Sequence, residues 1–184
     1  MPPKVKITKD EIIDTAVKIV NEQGADMINA RNVAKMLGSS TQPVFSNFAT
    51  MDALRDAVIN RANSMYEEYI QKEIDSKRYP DYKASGMAYI RFAREQKQLF
   101  RLLFMRERTE GQMHDAMSDS MQSIVHDSTG LSGKSMEFFH LEMWAYVHGI
   151  ATMLATGYLD LEESLISKML TDCYMGLKKQ YGAE

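Results

Sequence analysis

Apolar residues recur at the spacing of one helical face along nearly the whole chain, and no stretch alternates apolar and polar residues as a half-buried strand would. That pattern restricts the fold to packed helices. Residues 9–22 place Ile12, Ala16 and Ile19 on one stripe, with Ile13, Val17 and Val20 beside it. Thr8 stands at the N-cap position, Glu11 three residues later completes a capping box, and Gly24 ends the segment. Similar signals predict a short helix over 30–37, capped by Asn29 and ended by Gly38. A third is predicted over 41–48, capped by Ser40, with Pro43 in the first turn where a missing N–H costs nothing. A fourth starts after Thr50, turns Leu54, Val58 and Ile59 inward, and runs to about residue 74. The segment SKRYPDY at 76–82 reads as a linker. Further helices are predicted over 82–95, 97–106, 113–128, 134–156 and 160–180, for an all-α fold of about nine helices.

Size and composition narrow the function. A chain of 184 residues makes one large domain or two small ones. It has no run of about 18 uncharged apolar residues, so no membrane span is expected. The opening MPPKVKITKDE lacks the apolar core of a secretory leader, and a single cysteine, Cys173, makes no internal disulfide; both favour the cytoplasm. The net charge of −3 by itself argues against nucleic acid. Charge is mildly uneven, however: residues 1–61 hold eight Lys/Arg against seven acids, and the remaining 123 hold 14 against 18. Lys4, Lys6 and Lys9 form the one basic arm.

The segment GSSTQPVFSNF, residues 38–48, breaks the pattern by crowding short polar groups and two aromatic rings together. The helix over 30–37, the turn at Gly38–Ser39–Ser40 and the helix over 41–48 have the proportions of a helix-turn-helix. Val33, Ala34 and Leu37 can face a core from the first helix, and Val44 and Phe48 from the second. Thr41, Gln42, Phe45, Ser46 and Asn47 are then left outside. Gln and Asn can pair bidentately with adenine, and Thr can touch a thymine methyl. From spacing alone, a plain helical corner with a solvated face fits equally well.

At these residues the chain resembles the TetR family of transcriptional regulators. The resemblance runs through EQG (22–24), NARNVAKMLGSSTQPVFSNF (29–48) and TMDALRDAV (50–58), with Asn29, Arg31, Val33, Ala34, Gly38, Ser40, Phe45, Phe48 and Leu54 in the family's places. It implies a three-helix DNA-binding domain over 1–50 and a ligand-binding and dimerisation domain over 51–184. It also implies a double-stranded DNA operator contacted by Lys4, Lys6, Asn29, Arg31, Ser40, Thr41, Gln42, Pro43, Phe45, Ser46 and Asn47. Two departures stand out. Phe45 occupies the place of a tyrosine whose hydroxyl holds phosphate, leaving a ring that can pack only on the sugar edge, and Met51 replaces a lysine that touches phosphate. Affinity should therefore rest on Arg31, Lys35, the basic arm and backbone amides.

In the family the C-terminal helices form a ligand cavity and a dimer interface. WAYVHGIA (144–151) and FRLLF (100–104) resemble one C-terminal class with a Trp…His-Gly signature. Residues 141–155 are apolar on nearly every side, so they must be covered all round. The chain has 15 methionines, a residue that adapts to irregular space. A pocket for a small apolar effector is expected from Tyr66, Tyr89, Phe92, Phe104, Met105, Trp144 and His148. A homodimer interface is expected from Leu165, Ile166, Met169, Leu170, Cys173 and Leu177, although these could instead complete a protomer core. His140 and His148, eight residues apart on one helix, are about 12 Å apart along its axis and cannot share a metal. Glu107, Glu110 and His114 have a conceivable metal spacing, but Gly111 interrupts it. No P-loop, dinucleotide-binding glycine pattern or hydrolase elbow occurs, so neither catalysis nor a cofactor is expected. The rival readings are a helical enzyme or carrier and a protein-binding adaptor using 38–48.

Overall fold

The computed structural model describes residues 7–106 and 118–182, and among these residues the fold is nine α-helices with no strand. The helices are α1 (Lys9–Gln23), α2 (Ala30–Met36), α3 (Gln42–Asn47), α4 (Met51–Asp75), α5 (Asp81–Glu95), α6 (Lys97–Phe104), α7 (Asp119–Thr129), α8 (Gly133–Thr156) and α9 (Glu163–Gln180).

Local chemistry sets most of the boundaries. The capping box before α1 closes both ways: the Thr8 N–H donates to Glu11 Oε2 at 2.7 Å and the Glu11 N–H to Thr8 Oγ1 at 3.2 Å. The backbone N–H of Thr8 is also the main reason the Glu11 carboxyl titrates below its usual range. Gly24 ends α1 at φ 94° and Gly38 follows α2 at φ 63°, both in the left-handed region that favours glycine. Asn29 caps α2 by accepting the Asn32 N–H at 2.9 Å, and Thr50 caps α4 by accepting that of Ala53 at 3.1 Å.

Three boundaries differ from the sequence reading. Ser40 does not cap α3: Thr41 precedes the helix in helical geometry, and no side chain caps it. Pro43 near the start already removes one N–H that a cap would serve. Helix α7 begins at 119 because Ser118 is extended and caps it by accepting the Met121 N–H at 3.3 Å; residues 113–117 lie outside the described residues. Helix α9 begins at Glu163, since Arg94 binds the carbonyl of Leu161 and approaches Asp160 to 3.5 Å, holding that segment out of the helix.

By packing, the chain divides into two units. The first is Met1–Tyr66 with Gln96–Met105, so α6 and the beginning of α4 pack with α1–α3. Its buried residues include Ile12, Ile19, Val20, Val33, Leu54, Val58, Leu99 and Phe100. Arg61 of α4 reaches α1, donating to Asp14 at 2.6 Å and to Asp10 at 3.1 Å. The second unit is Glu67–Glu95 with Arg106–Glu184. There α5 is buried on most sides and lies along α8. A Cβ on Gly86 would stand 3.1 Å from the Leu170 side chain and 3.6 Å from that of Val147, so the glycine permits close crossing. Phe139, fully buried, meets Tyr174 edge to face at 5.7 Å and Tyr181 at 5.8 Å, tying α8 to α9 and the turn after it.

Candidate nucleic-acid interface

The α2–α3 corner is built from inward apolar anchors. Val33, Ala34, Val44 and Phe48 are buried, and the Ser39 N–H donates to the Ala34 carbonyl at 2.9 Å through the turn. Gln42, Phe45 and Ser46 are exposed, with the Phe45 ring 57% open. Thr41, Pro43 and Asn47 are half-buried. The Ser46 hydroxyl donates to the Gln42 carbonyl at 2.9 Å, and Asn47 Nδ2 donates to the Pro43 carbonyl at 2.8 Å. The sequence reading gave Gln and Asn to adenine, Thr to a thymine methyl and Phe45 to the sugar edge; in the structure Gln42 and Phe45 are the exposed side chains of this group with no hydrogen bond to their own helix backbone.

Arg31, Lys35 and Ser40 are exposed beside this corner, and Asn29 spends its side chain on the α2 cap. Lys9 stands over the Phe48 ring at 5.2 Å, a cation–π contact that sets the last lysine of the basic arm against α3's inner anchor. Lys4 and Lys6 lie outside the described residues.

The residues expected to line an effector pocket form two groups. In the first unit Tyr66 meets Phe104 edge to face at 5.2 Å, and Met105 is an exposed residue closing α6. Burial pushes the Tyr66 hydroxyl well above its ordinary range. In the second unit Trp144 stacks on the His148 ring at 4.9 Å and 17°, and the Tyr89 hydroxyl lies 2.8 Å from His148 Nδ1. Phe92 is fully buried against Tyr69 at 5.3 Å. A second pair runs parallel to Tyr89–His148: the Tyr82 hydroxyl is 3.1 Å from His140 Nδ1. Burial pushes the Tyr82 hydroxyl up and makes His140 harder to protonate. The Thr152 hydroxyl, one turn beyond His148, is buried without a hydrogen-bond partner among the described residues.

The expected interface residues on α9 separate by depth. Ile166 and Leu170 are 1% and 2% exposed within the protomer, so they belong to its own core and present no surface to a second copy. Leu165 is exposed, and Met169, Cys173 and Leu177 are half-buried. On α8, Phe138, Leu141, Trp144 and Tyr146 are exposed; the sequence put Leu141 and Trp144 on one apolar stripe of this helix, which is apolar all round, so periodicity could not choose its inner face. Among the described residues no group of three or more His, Cys, Asp or Glu could hold a metal, and Glu107, Glu110 and His114 lie outside them. No helix among them is long and apolar enough to cross a membrane.

Residues 82–171 match the family described as tetracyclin repressor-like, C-terminal domain. No curated protein matches the chain in sequence. Among solved structures, a TetR-like transcriptional regulator from Rhodococcus sp. RHA1 superposes with a TM-score of 0.68 at 15% identity, over 95% of this chain and 96% of that one. A TetR family member from Streptomyces coelicolor A3 gives 0.65 at 16% identity, over 89% and 96%. The multidrug binding protein EbrR, solved in complex with imidazole, gives 0.63 at 15% identity, over 89% and 88%. At these identities the likeness is one of fold, and it extends along nearly the whole chain. Residues 82–171 thus belong to the tetracyclin repressor-like C-terminal domain family, and the chain as a whole has the fold of TetR-like regulators.

Proposed function

We propose that this chain is a homodimeric, ligand-responsive repressor acting in the cytoplasm, with residues 1–50 binding an operator and residues 51–184 binding effector and partner copy. The observation that carries the reading is the open side of α3, where Gln42, Phe45 and Ser46 face outward beside exposed Arg31 and Lys35. Such a helix can enter a major groove while the flanking cations hold phosphate. A small apolar effector would bind near the Trp144–His148–Tyr89 row, where aromatic rings and the unpartnered Thr152 hydroxyl supply apolar contact and one polar anchor. Its binding would favour the conformer that fits DNA less well, and a coupling of about 1–3 kcal/mol suffices for such a switch.

The test is a selection of duplexes from random-sequence DNA with the full chain, followed by anisotropy titrations at several salt concentrations. A preferred palindromic duplex is expected. Arg31→Ala should weaken binding to all sequences alike and reduce the salt slope by about one per subunit. Failure to enrich any duplex would refute the DNA-binding reading; an enriched duplex with an unchanged slope in Arg31→Ala would remove that residue from the phosphate contacts.

A further inference from the structure

The side chains on the open side of α3 are not equally free. The Ser46 hydroxyl hydrogen and one of the two Asn47 amide hydrogens are committed to carbonyls of their own helix, at 2.9 and 2.8 Å, and Asn47 is half-buried. Gln42 is exposed and makes no side-chain hydrogen bond among the described residues. Phe45 leaves 57% of its surface open, although Val44 and Phe48 on either side of it are buried.

We propose that Phe45 reads the 5-methyl group of a thymine in each operator half-site, with Gln42 on an adenine of a neighbouring base pair. This rests on the DNA-binding function proposed above and names the bases that the site prefers. In the major groove the thymine methyl is the apolar group of the base-pair edges, so a ring with no polar atom finds its base-specific partner there. Lacking a hydroxyl, Phe45 cannot hold a phosphate. Packing on the sugar edge alone would add affinity without preference. A carboxamide matches adenine, whose N7 accepts and N6 donates on the same edge. Residues three apart on a helix are about 5–6 Å apart at Cβ. Successive base pairs rise about 3.4 Å. Gln42 and Phe45 therefore reach neighbouring pairs rather than one base.

Deoxyuridine provides the test, because it removes the methyl group and leaves every hydrogen bond of thymine in place. In the best selected duplex each thymine is replaced in turn by deoxyuridine, and affinity is measured for the wild-type chain, Phe45→Ala and Gln42→Ala. At one thymine per half-site the wild type should lose roughly fourfold per half-site, the worth of one buried methyl. Phe45→Ala should bind the thymine duplex more weakly and no longer distinguish it from the uridine duplex, while Gln42→Ala keeps the distinction. Equal binding of both duplexes by the wild type overturns the proposal, as does an undiminished thymine preference in Phe45→Ala. Should Phe45→Ala fold poorly, the wild-type comparison still decides. If no duplex is enriched at all, the DNA-binding function itself falls; if one is enriched but shows no methyl effect, only this inference does.

Discussion

Glu73→Gln is expected to cost about 3 kcal/mol of stability, the low end of what breaking a buried ion pair costs. Glu73 lies in the last turn of α4, is 2% exposed, and is gripped from two sides. Its Oε1 accepts Arg78 Nη2 at 2.8 Å and Nε at 3.2 Å; its Oε2 accepts Arg91 Nη1 at 2.5 Å. Glu163, at the start of α9, faces the same two arginines at 3.0 and 3.4 Å. Two cations and two anions thus alternate around one point where the end of α4, the turn after it, α5 and α9 meet. Glutamine is nearly isosteric, but it removes the charge and turns one acceptor into a donor aimed at an arginine. The loss falls at the low end because Arg78 and Arg91 both reach solvent, with side chains 47% and 30% exposed. Urea unfolding followed by circular dichroism would measure the loss. A midpoint equivalent to less than about 0.5 kcal/mol below wild type would show that the carboxylate contributes no more than a surface charge.

A chain that kept such a cluster for stability alone would be poorly served by it, since apolar residues of similar volume often do as well or better. What the cluster supplies is direction: the two arginines approach different oxygens of one carboxylate and fix the last turn of α4 in orientation as well as position. In the proposed switch α4 leads from the helix-turn-helix to the ligand domain, so its end needs a defined attachment.

None of this was legible in the sequence, and the contrast with what was legible is physical. Thr8, Glu11, Asn29 and Gly38 act on backbone groups within a few residues, so spacing reveals them. The inward residues of α1 follow from periodicity alone. Glu73 looks like any solvated glutamate near a helix end until α5 and α9 bring their side chains to it. The same holds for α3. Position on the helix placed Ser46 and Asn47 outside, but whether their hydrogens point to DNA or to their own backbone is decided by geometry that no pattern encodes. On α9 the expected interface residues divide by depth, with Ile166 and Leu170 buried and Leu165 exposed. Which of its edges is core depended on α5, where Gly86 lets Leu170 approach.

Replacing Gly149 and Leu165 together by glutamate is expected to yield a folded protomer that no longer pairs and loses about 10²–10⁴-fold in operator affinity, the advantage of two linked half-site contacts. A glycine in a helix interior costs about 1 kcal/mol relative to alanine. Yet a Cβ at Gly149 on α8, or at Gly176 on α9, would meet nothing within 4 Å, so the packing of the protomer does not require either glycine. Close approach of helices from a second copy would. Phe138 and Leu141 on α8 and Leu165 on α9 are exposed in the protomer, and α8 and α9 pack together. Leu165 is exposed and a Cβ at the half-buried Gly149 meets nothing within 4 Å, so the protomer core, including Ile166 and Leu170, stays intact. Sedimentation should show the wild type at twice the protomer mass and the variant at once that mass, with helical circular dichroism per residue unchanged. The affinity loss should be confined to two-half-site duplexes, with binding to a single half-site duplex unchanged. A variant that still sediments as a pair and binds the full operator as before would place the interface on another face and remove the geometric link between these two helices and the palindrome.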